Sequence, residues 1–105
     1  MKKILLAISL ATMCGTSMAA GDAEAGKGKS AMCAACHGAN GVGIGPMFPN
    51  LAGQKADYMV LQLKAFKDGT RKGANYAQMI GMVAALSDQD MEDIAAFYAS
   101  MDAAK

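Results

Sequence analysis

The 105-residue chain has no tryptophan, one histidine and two prolines, and aromatic residues make up only 6% of it. Each shortage excludes something. A single histidine cannot supply a pair of imidazoles to one metal. Lysine plus arginine against aspartate plus glutamate gives a net charge of only +1, so there is neither a basic face for nucleic acid nor an acidic tail. The longest uncharged apolar run, Ile4 to Met13, is about half of the ~20 residues that a bilayer-spanning helix needs. A chain this short forms one domain. With twelve glycines and so few aromatics, it is short of side-chain volume for a well-packed core.

What is present begins with a leader. Lys2 and Lys3 precede the apolar run, and Ser17-Met18-Ala19 follows as a small-x-small cleavage pattern. Residues 1–19 therefore read as a cleaved signal peptide and residues 20–105 as the domain, exported to the periplasm. Cys14 offers a lipid-anchored form of the same leader. The residue before a lipid-bearing cysteine is small, however, and here it is Met13. Removing residues 1–19 takes Lys2 and Lys3 away, leaving eight basic residues against nine acidic ones, a net charge of −1. Cys33 and Cys36 are then the remaining cysteines.

The domain reads as all-α. A helix is expected from Asp22, its N-cap, to about Ala35, with Gly26 and Gly28 inside it at about 1 kcal/mol each relative to Ala. Close packing against another helix would justify them. Residues 38–53 carry Gly38, Gly41, Gly43, Gly45, Pro46 and Pro49 and read as loop. A second helix is expected over 55–67, with Tyr58, Leu61, Ala65 and Phe66 at helical spacing and Gly69 as its stop. A basic turn with Arg71 and Lys72 leads into a Met-rich stretch over 78–82. The last helix starts at Ser87, with Asp90 completing a capping box. Met91, Ile94, Ala95, Tyr98 and Met101 form its apolar stripe, widened by Phe97.

The chemistry lies in Cys33-Ala34-Ala35-Cys36-His37, the pattern that attaches a c-type haem. Two thiols three residues apart can each add to one of the two vinyl groups, and the next residue places an imidazole over the iron. A redox disulfide would want a strand–helix–strand context, which is missing. Zinc wants four ligands, and this cluster has three. A plain structural disulfide closing so short a loop would add little stability.

The sequence resembles the small bacterial class I monohaem cytochromes c, and more closely one half of the two-haem bacterial cytochromes c. The likeness covers residues 20–105. It rests on Gly21-Asp-Ala-Glu-Ala-Gly-Lys-Gly28, Cys33 to Gly38, Gly45-Pro-Met-Phe-Pro-Asn-Leu-Ala-Gly-Gln54, Met79-Ile-Gly-Met82 and Leu86 to Tyr98. The resemblance implies three to five helices wrapped around one covalently bound haem c, with His37 as the proximal iron ligand. It also implies a methionine on the far side, from a loop between the third and last helices. The candidates are Met79 and Met82. Matching to the family block selects Met79, although spacing alone does not separate them. The other methionines, Met59, Met91 and Met101, read as core.

By the same route the Pro46 carbonyl would accept the proton on the other imidazole nitrogen. Tyr58, Arg71, Lys72 and Gln54 are candidates to face the haem propionates, with a core tyrosine and solvated charges as the alternative. Gly26 would let the first helix cross the last against Phe97. The implied function is a periplasmic one-electron carrier, monomeric and not an enzyme. Its partners would be redox proteins: a membrane quinol–cytochrome c oxidoreductase, a terminal oxidase or reductase, or a periplasmic dehydrogenase. Two alternatives are a haem subunit docked in a larger oxidoreductase and a gas-binding or peroxidatic haem domain. A peroxidase would want a distal histidine or arginine. The macrocycle would supply the missing core volume, so the apoprotein should be largely unfolded.

Overall fold

Where the backbone runs helical follows from how each end is satisfied. In the computed structural model, which describes residue 8 and residues 21–104, five α-helices are joined by loops and one 3₁₀ turn. The expected signal peptide over 1–19 lies outside the described residues.

α1 (Ala23–Lys29) starts at Asp22, whose carboxylate accepts from the Glu24 and Ala25 amides. The helix expected to run unbroken to about Ala35 is instead two. α1 stops at Ser30, which is buried and donates its hydroxyl to the Lys27 carbonyl at 3.0 Å. α2 (Ala31–His37) then sets off afresh and reaches His37. A serine hydroxyl that competes for a helical carbonyl is a local alternative to continuing the ladder. α3 (Ala56–Asp68) ends at Gly69 in the left-handed conformation, φ +83°.

The Met-rich stretch, expected as loop, is helical: a 3₁₀ turn over Ala74–Tyr76 runs into α4 (Ala77–Val83). α5 (Asp88–Ala99) opens with the expected capping box, Ser87 Oγ accepting from the Asp90 amide and the Asp90 carboxylate accepting from the Ser87 amide.

α5 is the spine. Met91, Ala95, Tyr98 and Ile94 are essentially inaccessible, and α1 and α3 both pack on this helix. Gly26 has the expected reason to be glycine: a Cβ there would overlap the Asp93 carbonyl oxygen and press on the Phe97 Cβ. The contact is thus with the α5 backbone and the root of Phe97, whose ring instead lies 5.2 Å from that of Tyr98. Gly21 approaches α5 in the same way at the Glu92 carbonyl, whereas Gly28 faces open space and has no packing role.

α3 meets α5 through Met59, Val60 and Phe66, with Leu63 alongside. Tyr58 and Leu61, placed by periodicity on the apolar stripe, are outside it, and Leu61 is 63% exposed. α3 carries apolar residues around most of its circumference, so spacing alone did not single out the packed face.

A charged latch closes α1 on α5. Asp93 is buried, accepts from the Asp22 amide at 2.8 Å and from Gln89 at 2.9 Å, and pairs with Lys29 at 2.7 Å. Lys29 also pairs with Asp90 at 2.8 Å. The Asp22 amide, Lys29 and Gln89 hold the Asp93 carboxyl down to about 2, and Lys29 with the Ser87 amide and hydroxyl does the same for Asp90.

Candidate functional site

On the side of α3 and α5 away from α1 lies a cleft of about 580 Å³, a size suited to a small-molecule cofactor. α2 sends three side chains into it. Cys33 and Cys36 are one helical turn apart and so share a face, and His37 follows as the last residue of the helix. Both cysteines are half-buried free thiols, and burial pushes the Cys33 thiol up.

His37 is buried, and its Nδ1 lies 2.8 Å from the Pro49 carbonyl oxygen. A carbonyl only accepts, so Nδ1 carries the proton and Nε2 keeps its lone pair for a metal. The expected partner was Pro46, and the structure places Pro49 there instead. The loop decides this. Gly38 and Gly41 take positive φ, the Leu51 amide bonds the Gly41 carbonyl, and the Gly43 amide bonds Asn50 Oδ1. That knot folds the Pro49 carbonyl back onto the imidazole. Pro46 is exposed.

α4 contributes Met79 and Met82, three residues apart, and both line the cleft. Met79 is also packed against the core cluster around α5. The remaining wall is largely apolar, including Leu51, Met59, Phe66, Val83 and Ile94. Of the four residues expected near the propionates, Gln54, Tyr58 and Arg71 line the cleft, and Lys72 does not. Arg71 is joined there by Gln62, Asn75 and Gln78, polar residues that no motif or periodicity singles out.

Two thiols on one helical face, a buried imidazole with a free nitrogen, thioethers on another wall and an apolar cleft form a donor set that fits a covalently bound haem. The family comparison agrees: the Cytochrome c model matches residues 23–102. The chain belongs to the cytochrome c family.

The chain is 52% identical over 83 residues to cytochrome c-554(548) of Halomonas halodenitrificans, covering 79% of this chain and all of that one. Against the crystal structure of reduced recombinant cytochrome c4 from Pseudomonas stutzeri the TM-score is 0.69 at 49% identity, over 79% of this chain and 47% of the other. It is also 42% identical to a thiosulfate dehydrogenase electron acceptor of Stutzerimonas stutzeri over 69 residues, 66% of this chain and 32% of that protein. The chain thus spans the whole of the cytochrome c-554(548) and about half the length of the cytochrome c4.

The all-α class I cytochrome c architecture is therefore the fold of this chain. Membership carries with it a covalently attached haem c, and a single Cys-x-x-Cys-His motif provides for one. The chain is a haem electron-transfer protein. None of its described helices is long and apolar enough to cross a membrane.

Proposed function

We propose that the chain is a periplasmic one-electron carrier whose haem is linked through Cys33 and Cys36 and ligated by His37 and Met79. The observation that carries this reading is the convergence of α2 and α4 on one apolar cleft. When bound, the haem supplies reversible one-electron exchange at its iron, and the residues around it do the rest. The Pro49 carbonyl fixes the tautomer and orientation of His37 and makes it a more basic ligand. The thioether of Met79 favours the reduced metal and raises the potential, and the apolar wall acts in the same direction by disfavouring charge. Of the two candidate methionines, Met79 is the one packed against the core, where a ligand is held in place through both oxidation states. Ligands that stay in place leave little to reorganise when the electron moves.

Electrons need an open edge. Met32, Met47 and Tyr58 line the cleft while remaining exposed, Met47 at 80%, and Ile44 stands exposed on the adjoining loop. This uncharged rim suits brief, weak docking of redox proteins, the small-interface regime of electron-transfer encounters. Export to the periplasm rests on the pattern of residues 1–19, and cleavage after Ala19 would appear as an N-terminus at Ala20.

The test is the optical spectrum of the oxidised holoprotein beside Met79→Ala and Met82→Ala. The weak long-red band of methionine-ligated ferric haem c should vanish in Met79→Ala and persist in Met82→Ala. The reverse pattern transfers the ligand to Met82. A band absent from the wild type refutes methionine ligation and favours an open, ligand-binding haem.

A second reading is a haem module docked permanently in a larger oxidoreductase. It is favoured by the likeness to part of a thiosulfate dehydrogenase electron acceptor. Gel filtration of the natively expressed protein separates the two, since a free monomer contradicts permanent docking.

A further inference from the structure

Tyr98 is the largest of the fully buried side chains, yet its hydroxyl has no hydrogen-bond partner among the described residues. Buried hydroxyls are nearly always paired, so an orphan in the middle of a core needs a reason. The residue is held from both ends. Its backbone carbonyl accepts from the Gly53 amide at 3.0 Å, just beyond the loop that carries Pro49, and its ring lies against that of Phe97. The hydroxyl therefore cannot turn out to water.

Two polar groups face it, the Ser30 hydroxyl and the Cys33 thiol. Ser30 is buried at the break between α1 and α2, and the Cys33 amide donates to the Ser30 carbonyl at 2.9 Å. Cys33 in turn packs against the core cluster to which Tyr98 belongs. Counting protons gives the direction of a bond here. Burial pushes the Tyr98 hydroxyl up, so the phenol keeps its proton and is a donor. Ser30 gives its only side-chain proton to the Lys27 carbonyl. A free thiol can both donate and accept, but a sulfur bonded to a vinyl carbon has no proton and only accepts. Haem attachment thus leaves a buried donor facing a buried sulfur that can take its proton.

We propose that Tyr98 is a positioning residue for the haem linkage, its hydroxyl donating to the Cys33 thioether sulfur and locking the haem-bearing edge of α2 against the end of α5. The axial ligands hold the iron, and this bond holds one of the two points where the macrocycle joins the backbone. A fixed linkage leaves less to move when the electron arrives. The inference rests on the Cys33 linkage proposed above and is independent of which methionine binds the iron.

The experiment is resonance Raman spectroscopy of the reduced holoprotein in water and in heavy water, for wild type, Tyr98→Phe and Ser30→Ala, with thermal melts of the same samples. Peptide mapping of the wild type comes first. A Cys33 that carries no haem overturns the linkage and this proposal together, whereas a linked Cys33 leaves the spectra to judge this proposal alone. The thioether carbon–sulfur stretch should shift on deuteration in wild type and in Ser30→Ala, and Tyr98→Phe should abolish the shift. Tyr98→Phe should also melt lower, because deleting a hydroxyl that stays orphaned would be neutral or stabilising. An unmoved or raised melting temperature overturns the proposal, as does an isotope shift that is absent from wild type or survives in Tyr98→Phe. Loss of the shift in Ser30→Ala makes Ser30 the donor and overturns it too. If Tyr98→Phe takes up no haem, Cys33→Ala, linked through Cys36 alone, decides. Disappearance of the shift there supports the proposal, and its persistence overturns it.

Discussion

The two sides of α5 are finished by different means. On the α1 side the protein closes itself. Gly21 and Gly26 lie on the α5 backbone, and the Asp93 carboxylate is saturated by the Asp22 amide, Gln89 and Lys29. On the cleft side, apolar residues such as Met47 and Tyr58 remain exposed around a volume that the chain does not fill. The first side is built for rigidity, with backbone against backbone and charges in fixed pairs. The second is built around a guest, with donors and soft side chains arranged along its walls. A small carrier needs both, because its ligands must hold still while one edge stays open.

The contrast can be broken from the rigid side first. Gly26→Val puts a branched side chain where the Asp93 carbonyl already sits, and should destabilise the holoprotein by about 3 kcal/mol, the upper range of overpacking. A thermal melt reads this, while the methionine band of the folded fraction should remain. An unchanged melting temperature would show that α1 can move away freely and that the crossing is not tight.

Acid acts on the same side through the latch. Both Asp90 and Asp93 titrate at about 2 in the folded chain, against about 3.9 when unfolded. Between those values the unfolded chain takes up protons that the folded one refuses. The stabilisation is therefore full above about pH 4 and is lost as the pH falls towards 2. Urea melts over that range should show a steep loss in wild type and a shallower one in Asp93→Asn. Equal slopes would remove Asp93 from the latch.

The smallest expected effect is Ser87→Ala. Loss of the cap at the start of α5 should lower stability by about 1 kcal/mol without altering the spectrum or the potential. A spectral change there would mean that the two sides are coupled through α5 more strongly than their separate contacts indicate.

How much of this was legible in the sequence differs element by element. The capping box at Ser87 and Asp90, the glycine stop at Gly69 and the thiol–thiol–imidazole cluster are local, because every atom involved lies within a few residues. The break at Ser30 was not legible, since alanine-rich flanks favour helix on both sides and only the turned-back hydroxyl marks the interruption. The face of α3 was ambiguous because its apolar residues are not confined to one stripe. Met79 was expected in a loop and stands on a helix, yet it reaches the cleft all the same.

The exchange of Pro46 for Pro49 is the most instructive of these. Both prolines lie in a glycine-rich loop, and nothing in the order of residues says which carbonyl turns inward. Positive φ at Gly38 and Gly41 and the bonds from Leu51 and Gly43 settle it. The stacking of Arg71 on the Phe66 and Tyr76 rings is similar, because those two residues are ten apart and meet only after the chain reverses beyond Gly69.

By itself, then, the sequence determined where the chemistry is concentrated, in one Cys-x-x-Cys-His cluster of the pattern that attaches haem c, and where helices begin when a cap is nearby. Those choices depend on residue type and short spacing, which survive in any conformation. Tertiary structure alone decided which carbonyl orients His37, which face of α3 is buried, and that Arg71 stacks on Phe66 and Tyr76 at the cleft wall with no carboxylate partner among the described residues. Those are matters of distance between residues far apart in the chain, and only packing fixes such distances.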